Sequence, residues 1–142
     1  MNEEVQSGWV IEDNPLEIDL AVIRNGVFDW GRSQAVGGNP LPIACFLRER
    51  ETVVAGACGR TEFSRLFVTH LWVLEEKRNK GIGTQALERL ESAARERGAR
   101  DSLIETLDER TSSLYRRLGY VEIAKIPAYV GRFDRHVMLK GL

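Results

Sequence analysis

Apolar residues recur along the chain with two different periods. Ile43 to Leu47 and Val53 to Cys58 are β-rich runs, and the charged tetrapeptide Arg48-Glu49-Arg50-Glu51 between them predicts a hairpin. Leu66 to Leu74 (LFVTHLWVL) is apolar on both alternating faces, the pattern of a central strand covered on both sides. From Ile82 the period becomes helical. Ile82, Ala86, Leu87, Leu90, Ala93 and Ala94 fall on one stripe, with Glu88, Arg89, Glu91 and Arg95 expected outside it and Gly98 placed to end the helix. Ser102 to Leu107 reads as the next buried strand. Thr111 to Leu118 predicts a short helix with Leu114, Tyr115 and Leu118 inward, stopped by Gly119. Tyr120 to Lys125 and His136 to Lys140 predict two last strands, separated by a loop that holds Pro127 and Gly131.

Ahead of Pro42 the pattern is weaker. Gly8 to Glu12 predicts a first strand, and Pro15 to Ile23 a helix that begins after Asn14 with Pro15 at its first position. Glycines and prolines interrupt any period between Gly26 and Pro42, which predicts loops or short helices. Strands first, then alternating strand and helix, then strands again, predict a mixed α/β domain with one sheet, spanning residues 1–142 as a single domain.

Composition narrows the functional classes. A chain of 142 residues buries a full core without disulfide or metal staples. Apolar and charged fractions of 43% and 29% exclude disorder as the default state, and a net charge of −1 gives no electrostatic case for a nucleic-acid partner. Cys45 and Cys58 read as buried free thiols with no visible base partner, and His70 and His136 lack a second ligand at metal spacing, so no metal site is expected. The N-terminal MNEEVQSGWVIED is acidic and has no apolar core, and nothing approaches the ~20 apolar residues of a membrane span. These features predict a cytoplasmic protein without membrane contact.

The segment with the clearest chemistry is Arg78-Asn79-Lys80-Gly81-Ile82-Gly83-Thr84, between the central strand and the amphipathic helix. A helix N-terminus exposes unpaired N–H groups and about half a positive charge. Glycines at 81 and 83 let a phosphate approach closely, and Arg78 and Lys80 add two cations. A tight turn with solvated basic residues would use the same sequence. The spacing matches neither a P-loop nor the dinucleotide fingerprint.

Leu71-Trp72-Val73 followed by Arg78-x-Lys80-Gly81-Ile82-Gly83 resembles the acetyl-CoA motif of the GNAT N-acetyltransferase superfamily, and Leu114-Tyr115-Arg116-Arg117-Leu118-Gly119-Tyr120 resembles that family's closing motif. The resemblance covers roughly Val53 to Leu142. It implies a central mixed, mostly antiparallel sheet flanked by helices, with the fourth and fifth strands splayed. It implies acetyl-CoA as co-substrate, its pantetheine paired with the backbone of Leu71, Trp72 and Val73 and its pyrophosphate on the N–H groups of residues 79 to 84. Asp108 departs from the family, many members having Asn there, and Ser112 is the expected substitute near the pantetheine. Arg116 or Arg117 would lie near the ribose phosphate.

The same resemblance implies N-acetylation of a primary amine by direct transfer in a ternary complex. Val73 N–H would stabilise the oxyanion, and Tyr115 would donate its proton or a hydrogen bond to the departing sulfur. Glu105, between Ile104 and Leu107, is the expected general base or ammonium anchor, with a structural ion pair as the plain alternative. His70 is a second candidate base, though a satisfied, partly buried histidine is the expectation, and His136 is expected to be structural. Phe28, Asp29, Trp30 and the glycine-rich loop after them, and the loop Ile126 to Arg135, are candidates for the acceptor pocket, with Phe28 and Trp30 equally able to anchor a loop beside a solvated Asp29. The expected acceptor is a small-molecule amine; a protein N-terminus or aminoacyl-tRNA, or a non-catalytic acyl-CoA-binding module, are the alternatives. Dimers are common in the resembling family, but no exposed apolar stripe marks an interface here.

Overall fold

The computed structural model describes residues 8–35 and 38–142. The chain forms two compact units, Met1–Ala35 and Val36–Leu142. The first holds one helix, α1 (Glu17–Gln34), after an irregular stretch. The strand expected at Gly8 to Glu12 does not form, because no strand among the described residues pairs with its backbone. The helix begins two residues after Pro15 and continues past Ile23 through Gly26 and Gly31, so the segment expected as loop is helical as far as Gln34. An interior glycine costs about 1 kcal/mol against alanine, which weakens a helix without forbidding it. Glu17 and Asp19 in the first turn and Arg32 in the last complement the helix dipole. Phe28, Asp29 and Trp30 are therefore helical residues of this first unit.

The second unit is a six-stranded mixed sheet with two helices. Its elements are β1 (Leu41–Glu49), β2 (Thr52–Glu62), β3 (Arg65–Val73), α2 (Ile82–Glu96), β4 (Asp101–Thr106), α3 (Glu109–Arg117), β5 (Val121–Val130) and β6 (Phe133–Gly141). The strand order is β1-β2-β3-β4-β6-β5, and every neighbouring pair is antiparallel except β3 with β4. The loop expected over Ile126 to Arg135 is instead the end of a long β5–β6 hairpin. Both strands extend to Val130 and Phe133, and an irregularity between Ile126 and Val130 absorbs Pro127.

The β3–β4 pair is short, and this positions the site. Only Arg65↔Asp101, Leu66↔Ser102 and Phe67↔Leu103 pair. Beyond them β3 stays with β2 as far as Val73, while β4 stays with β6 as far as Thr106. The two halves of the sheet part, leaving backbone groups of β3 unpaired on that side. This is the expected splay; it falls between the third and fourth strands because the first expected strand is absent. Arg65 closes the joined end, its Nε and Nη2 donating to the two carboxylate oxygens of Asp101 at 2.6 and 2.8 Å.

α2 packs its apolar stripe on β1, β2 and β3, and Leu66, Leu87, Leu90 and Met138 are fully buried. Each buried leucine contributes about 1.5–3 kcal/mol of transfer free energy. Glu91 corrects the sequence reading. One turn after Leu87, it points inward and is buried, not on the solvent face. Its two oxygens are satisfied, one by the Tyr120 hydroxyl at 2.8 Å and the other by Lys140 Nζ at 2.7 Å, and Ser102 Oγ meets the same hydroxyl at 2.8 Å. The sequence also hid an exposed apolar run on the edge strand β5, where Val121, Ile123, Ile126 and Val130 face solvent.

Candidate functional site

A cleft of about 640 Å³ opens where β3 ends and α2 and α3 begin. Its floor is the turn singled out in the sequence. Gly81 caps α2 with φ of 76°, a left-handed conformation that glycine adopts without strain, and no side chain caps the helix. The first amide of α2 with an observed backbone partner is that of Gln85, which donates to Gly81 O, so the N–H groups of Ile82, Gly83 and Thr84 are left for a ligand. Lys77, Arg78, Arg110 and Arg117 surround them, against one carboxylate, Asp108. Asp108 is occupied as the cap of α3, accepting from Thr111 N at 3.0 Å and Thr111 Oγ1 at 2.7 Å, and these bonds hold its carboxyl below the usual range.

Other residues named from the sequence have distinct placements. Leu71, Trp72, Val73, Arg78, Asn79, Gly81, Ile82, Gly83, Thr84 and Tyr115 all line this cleft. Lys80 is exposed in the turn and is not part of the lining. Ser112 is fully buried, its hydroxyl donating to Glu109 O at 3.1 Å, so it is turned away from the cleft and Thr111 lines it instead. Arg117 lines the cleft, whereas Arg116 is held by Glu109 and Glu122. Arg110 and Lys77 were missed by the sequence reading; both precede or follow the recognised motifs by a few residues.

Backbone alternation refines the role of β3. Leu74 N–H donates to Val54 O on β2 at 2.9 Å, so Trp72 also turns its backbone groups to β2, and those of Leu71 and Val73 turn to the open side. Val73 O is already taken by Arg78 Nε at 2.9 Å. The free groups facing the splay are therefore Val73 N–H and both groups of Leu71, while the Trp72 contribution is its half-exposed indole.

Two further clefts continue the first. One of about 430 Å³ occupies the splay and shares Leu71, Trp72, Thr111 and Tyr115 with the cleft just described. A second of about 440 Å³ lies on the sheet face away from α2 and shares Val68, Thr69, Glu105 and Thr106 with the splay. Together they form a passage through the sheet. Thr69 makes a bulge there, having no partner while Cys58 pairs His70 and Gly59 pairs Val68. Gly59 permits it, since a Cβ at this position would lie 1.9 Å from Phe67 O.

Tyr115 stands at the join of the first two clefts. Its side chain is buried against Tyr120, ring centroids 5.8 Å apart, and burial pushes its phenol up to about 12. Glu105 lines the splay and the far cleft and is ion-paired with Arg135, whose other nitrogen donates to Tyr129 OH at 2.7 Å. His70 lines the splay but is exposed rather than partly buried, and its Nδ1 lies 3.9 Å from Cys58 Sγ, a neighbour the sequence did not reveal. His136 is buried between Glu109 and Glu122, its nitrogens facing one carboxylate each.

Comparison with known proteins gives a family and similar folds. The sequence model of the acetyltransferase (GNAT) family fits residues 9–120. A blasticidin-S acetyltransferase of Streptomyces morookaense is 35% identical over 66% of this chain and 70% of its own length. Two other acetyltransferase relatives are matched over about half of their own lengths, 51% and 55%. A solved structure from Agrobacterium tumefaciens, described as an acetyltransferase, superposes with a TM-score of 0.89 at 22% identity, covering 96% of this chain and all of that one. A Bacillus anthracis structure in complex with acetyl coenzyme A, described as a streptothricin acetyltransferase, gives a TM-score of 0.64 at 12% identity over 73% of this chain and 64% of its own.

Proposed function

The chain belongs to the acetyltransferase (GNAT) family, and on that premise we propose that it transfers the acetyl group of acetyl-CoA directly to a primary amine of a small molecule. One observation carries the reading. A cationic cleft with open helix N–H groups meets a second cleft on the opposite sheet face through the splay, and a buried phenol stands where they join.

In this reading the pyrophosphate takes the N–H groups of residues 82–84, with Arg78, Arg110 and Arg117 as counter-charges. The pantetheine takes the place of the missing β4 partner along Leu71 and Val73. The thioester then reaches the residues shared by the two clefts. Leu71 N–H, which borders both, is better placed for the oxyanion than Val73 N–H, which borders only the cofactor cleft. The amine enters from the far cleft, whose volume suits a small ligand. The name of the blasticidin-S relative points to the same substrate size.

Burial holds the Tyr115 phenol up near 12, so it parts with its proton reluctantly, which favours a hydrogen bond over full proton transfer. Tyr115 therefore serves as a hydrogen-bond donor to the departing sulfur, which takes its proton afterwards from solvent. Glu105 is neutralised by Arg135, so it orients the acceptor and a water carries the amine proton away. Neither cysteine lines the three connected clefts, which favours direct attack over an acyl-enzyme.

Initial-rate measurement of free-thiol release with acetyl-CoA and a panel of primary amines tests this. Intersecting double-reciprocal lines are expected for a ternary complex. Parallel lines would establish a covalent intermediate and contradict direct transfer.

A further inference from the structure

The acceptor side of the passage carries a feature the transfer reaction itself does not require. Arg60, on β2, has its guanidinium carbon over the Phe67 ring, 4.1 Å from the ring centroid. Its Nε donates to the buried carboxylate of Glu62 at 2.9 Å. Those two contacts hold the guanidinium in place from one side. Its two terminal nitrogens have no hydrogen-bond partner among the described residues, and the residue lines the far cleft. A stacked guanidinium anchored through Nε, with its terminal fork open into a cleft, is pre-organised for a planar oxyanion.

The rest of that cleft indicates where such a group would sit. Val68, Thr69, Glu105 and Thr106 are shared with the splay and form the inner end, which the reacting amine must reach. Arg60, Phe67, Leu103 and Leu107 belong only to the outer end. Arg135 is no rival to Arg60, since two of its nitrogens are already engaged by Glu105 and Tyr129. Glu105, although paired with Arg135, keeps carboxylate lone pairs at the inner end for a hydrogen bond from an amino group, and Arg60 at the outer end presents a guanidinium to an anion.

Resting on the acetyl-transfer reading, we infer that the acceptor is a zwitterionic amine of the amino-acid type, whose carboxylate is held by the terminal nitrogens of Arg60 while its amino group faces the splay. Leu103 and Leu107 leave the remaining wall apolar, so side chains with aliphatic or aromatic character suit it better than charged ones.

The test uses matched pairs of amines: each of the common amino acids and the ω-amino carboxylates beside its carboxamide, with the corresponding aminophosphonates as a third arm. Wild-type protein is expected to acetylate at least one acid with kcat/KM roughly tenfold or more above that of its carboxamide, the scale of one charge-assisted pair. Arg60→Gln is expected to bring that ratio close to one, and Arg60→Lys to restore only part of it. Activity on the phosphonate equal to that on the carboxylate would widen the oxyanion class without moving the site. Carboxamides that react as well as their acids, or a ratio unchanged in Arg60→Gln, would overturn the inference.

Binding provides a second route that needs no turnover. In saturating CoA, the N-acetyl form of each acid should bind more tightly than its N-acetyl carboxamide in calorimetry, and Arg60→Gln should abolish the difference. Acetyl-CoA binding with no preference for any acid, free or acetylated, would sink the carboxylate site alone. Failure of the wild type to bind acetyl-CoA would sink the transfer reading beneath it.

Discussion

The two ends of the passage are built from different materials. The cleft proposed for the cofactor is lined by most of the turn between Lys77 and Thr84, by Leu71 to Val73 of β3 and by residues of α3, and its principal donors are backbone N–H groups held by α2. The far cleft, proposed for the acceptor, gathers side chains from β2, β3, β4 and β6, and its three charges are each engaged, Glu105 and Arg135 with one another and Arg60 through Nε with Glu62. Backbone donors do not change with the side chain, proline apart, so the first end suits a ligand that never changes. The second end can be re-specified one side chain at a time, which suits a ligand that differs between relatives. Tyr115 lines the first cleft and the splay, and in the proposed reading it serves the reaction rather than either ligand.

The largest effect that sharpens this division is expected at Tyr115. Tyr115→Phe keeps the buried ring and removes the donor, so kcat should fall by roughly a hundredfold or more while calorimetric affinity for acetyl-CoA stays within a few-fold. Loss of affinity in proportion to rate would instead make Tyr115 a cofactor-binding residue.

A smaller effect is expected at the acceptor end. Gly59→Ala places a Cβ 1.9 Å from Phe67 O, which the bulge cannot absorb without moving β2 from β3. We expect a loss of roughly 1–3 kcal/mol in denaturant unfolding. KM for the amine should rise more than KM for acetyl-CoA, because the bulge at Thr69 lines the splay and the far cleft but not the cofactor cleft. Equal changes in both would mean that the two ends are not independent.

The third effect appears only in alkaline solution. Burial lifts the Tyr115 phenol to about 12 and raises that of Tyr120 as well, so the unfolded chain ionises first, near 10. The folded state then holds more protons, and stability falls as pH rises from about 10 towards 12, by roughly 3 kcal/mol for Tyr115 alone. Thermal melts should show this decline, and Tyr115→Phe should lessen it. Over the same range kcat should show no alkaline limb at about 10, since the donor is still protonated there.

The difference in material also explains what the sequence disclosed. The glycine turn, the α2 stripe and the Leu114–Tyr120 segment are local patterns, and each chemical consequence follows from neighbours in the chain. Arg60 and Phe67 face each other across the β2–β3 hairpin while Arg135 lies far along the chain, and only the pairing of β2 with β3 and of β4 with β6 brings them to one cleft. The bulge at Thr69 was equally hidden, because a run apolar on both faces does not show where its alternation slips. Glu91 misled for a related reason: its charge suggested solvent, but its partners Tyr120 and Lys140 lie 29 and 49 residues away. Asp108 was legible in principle, as an acid three residues before the threonine whose amide it caps.

The most direct test of the account is calorimetric titration of acetyl-CoA into wild type and Gly83→Asp. A Cβ at Gly83 meets only Val73 Cγ2, at 3.6 Å, so the substitution has room, and an acid near a helix N-terminus favours folding. Tight binding by the wild type, lost in a variant that melts no lower, is the predicted result. A variant that binds acetyl-CoA as tightly as the wild type would contradict the claim that the pyrophosphate rests on the α2 N-terminus.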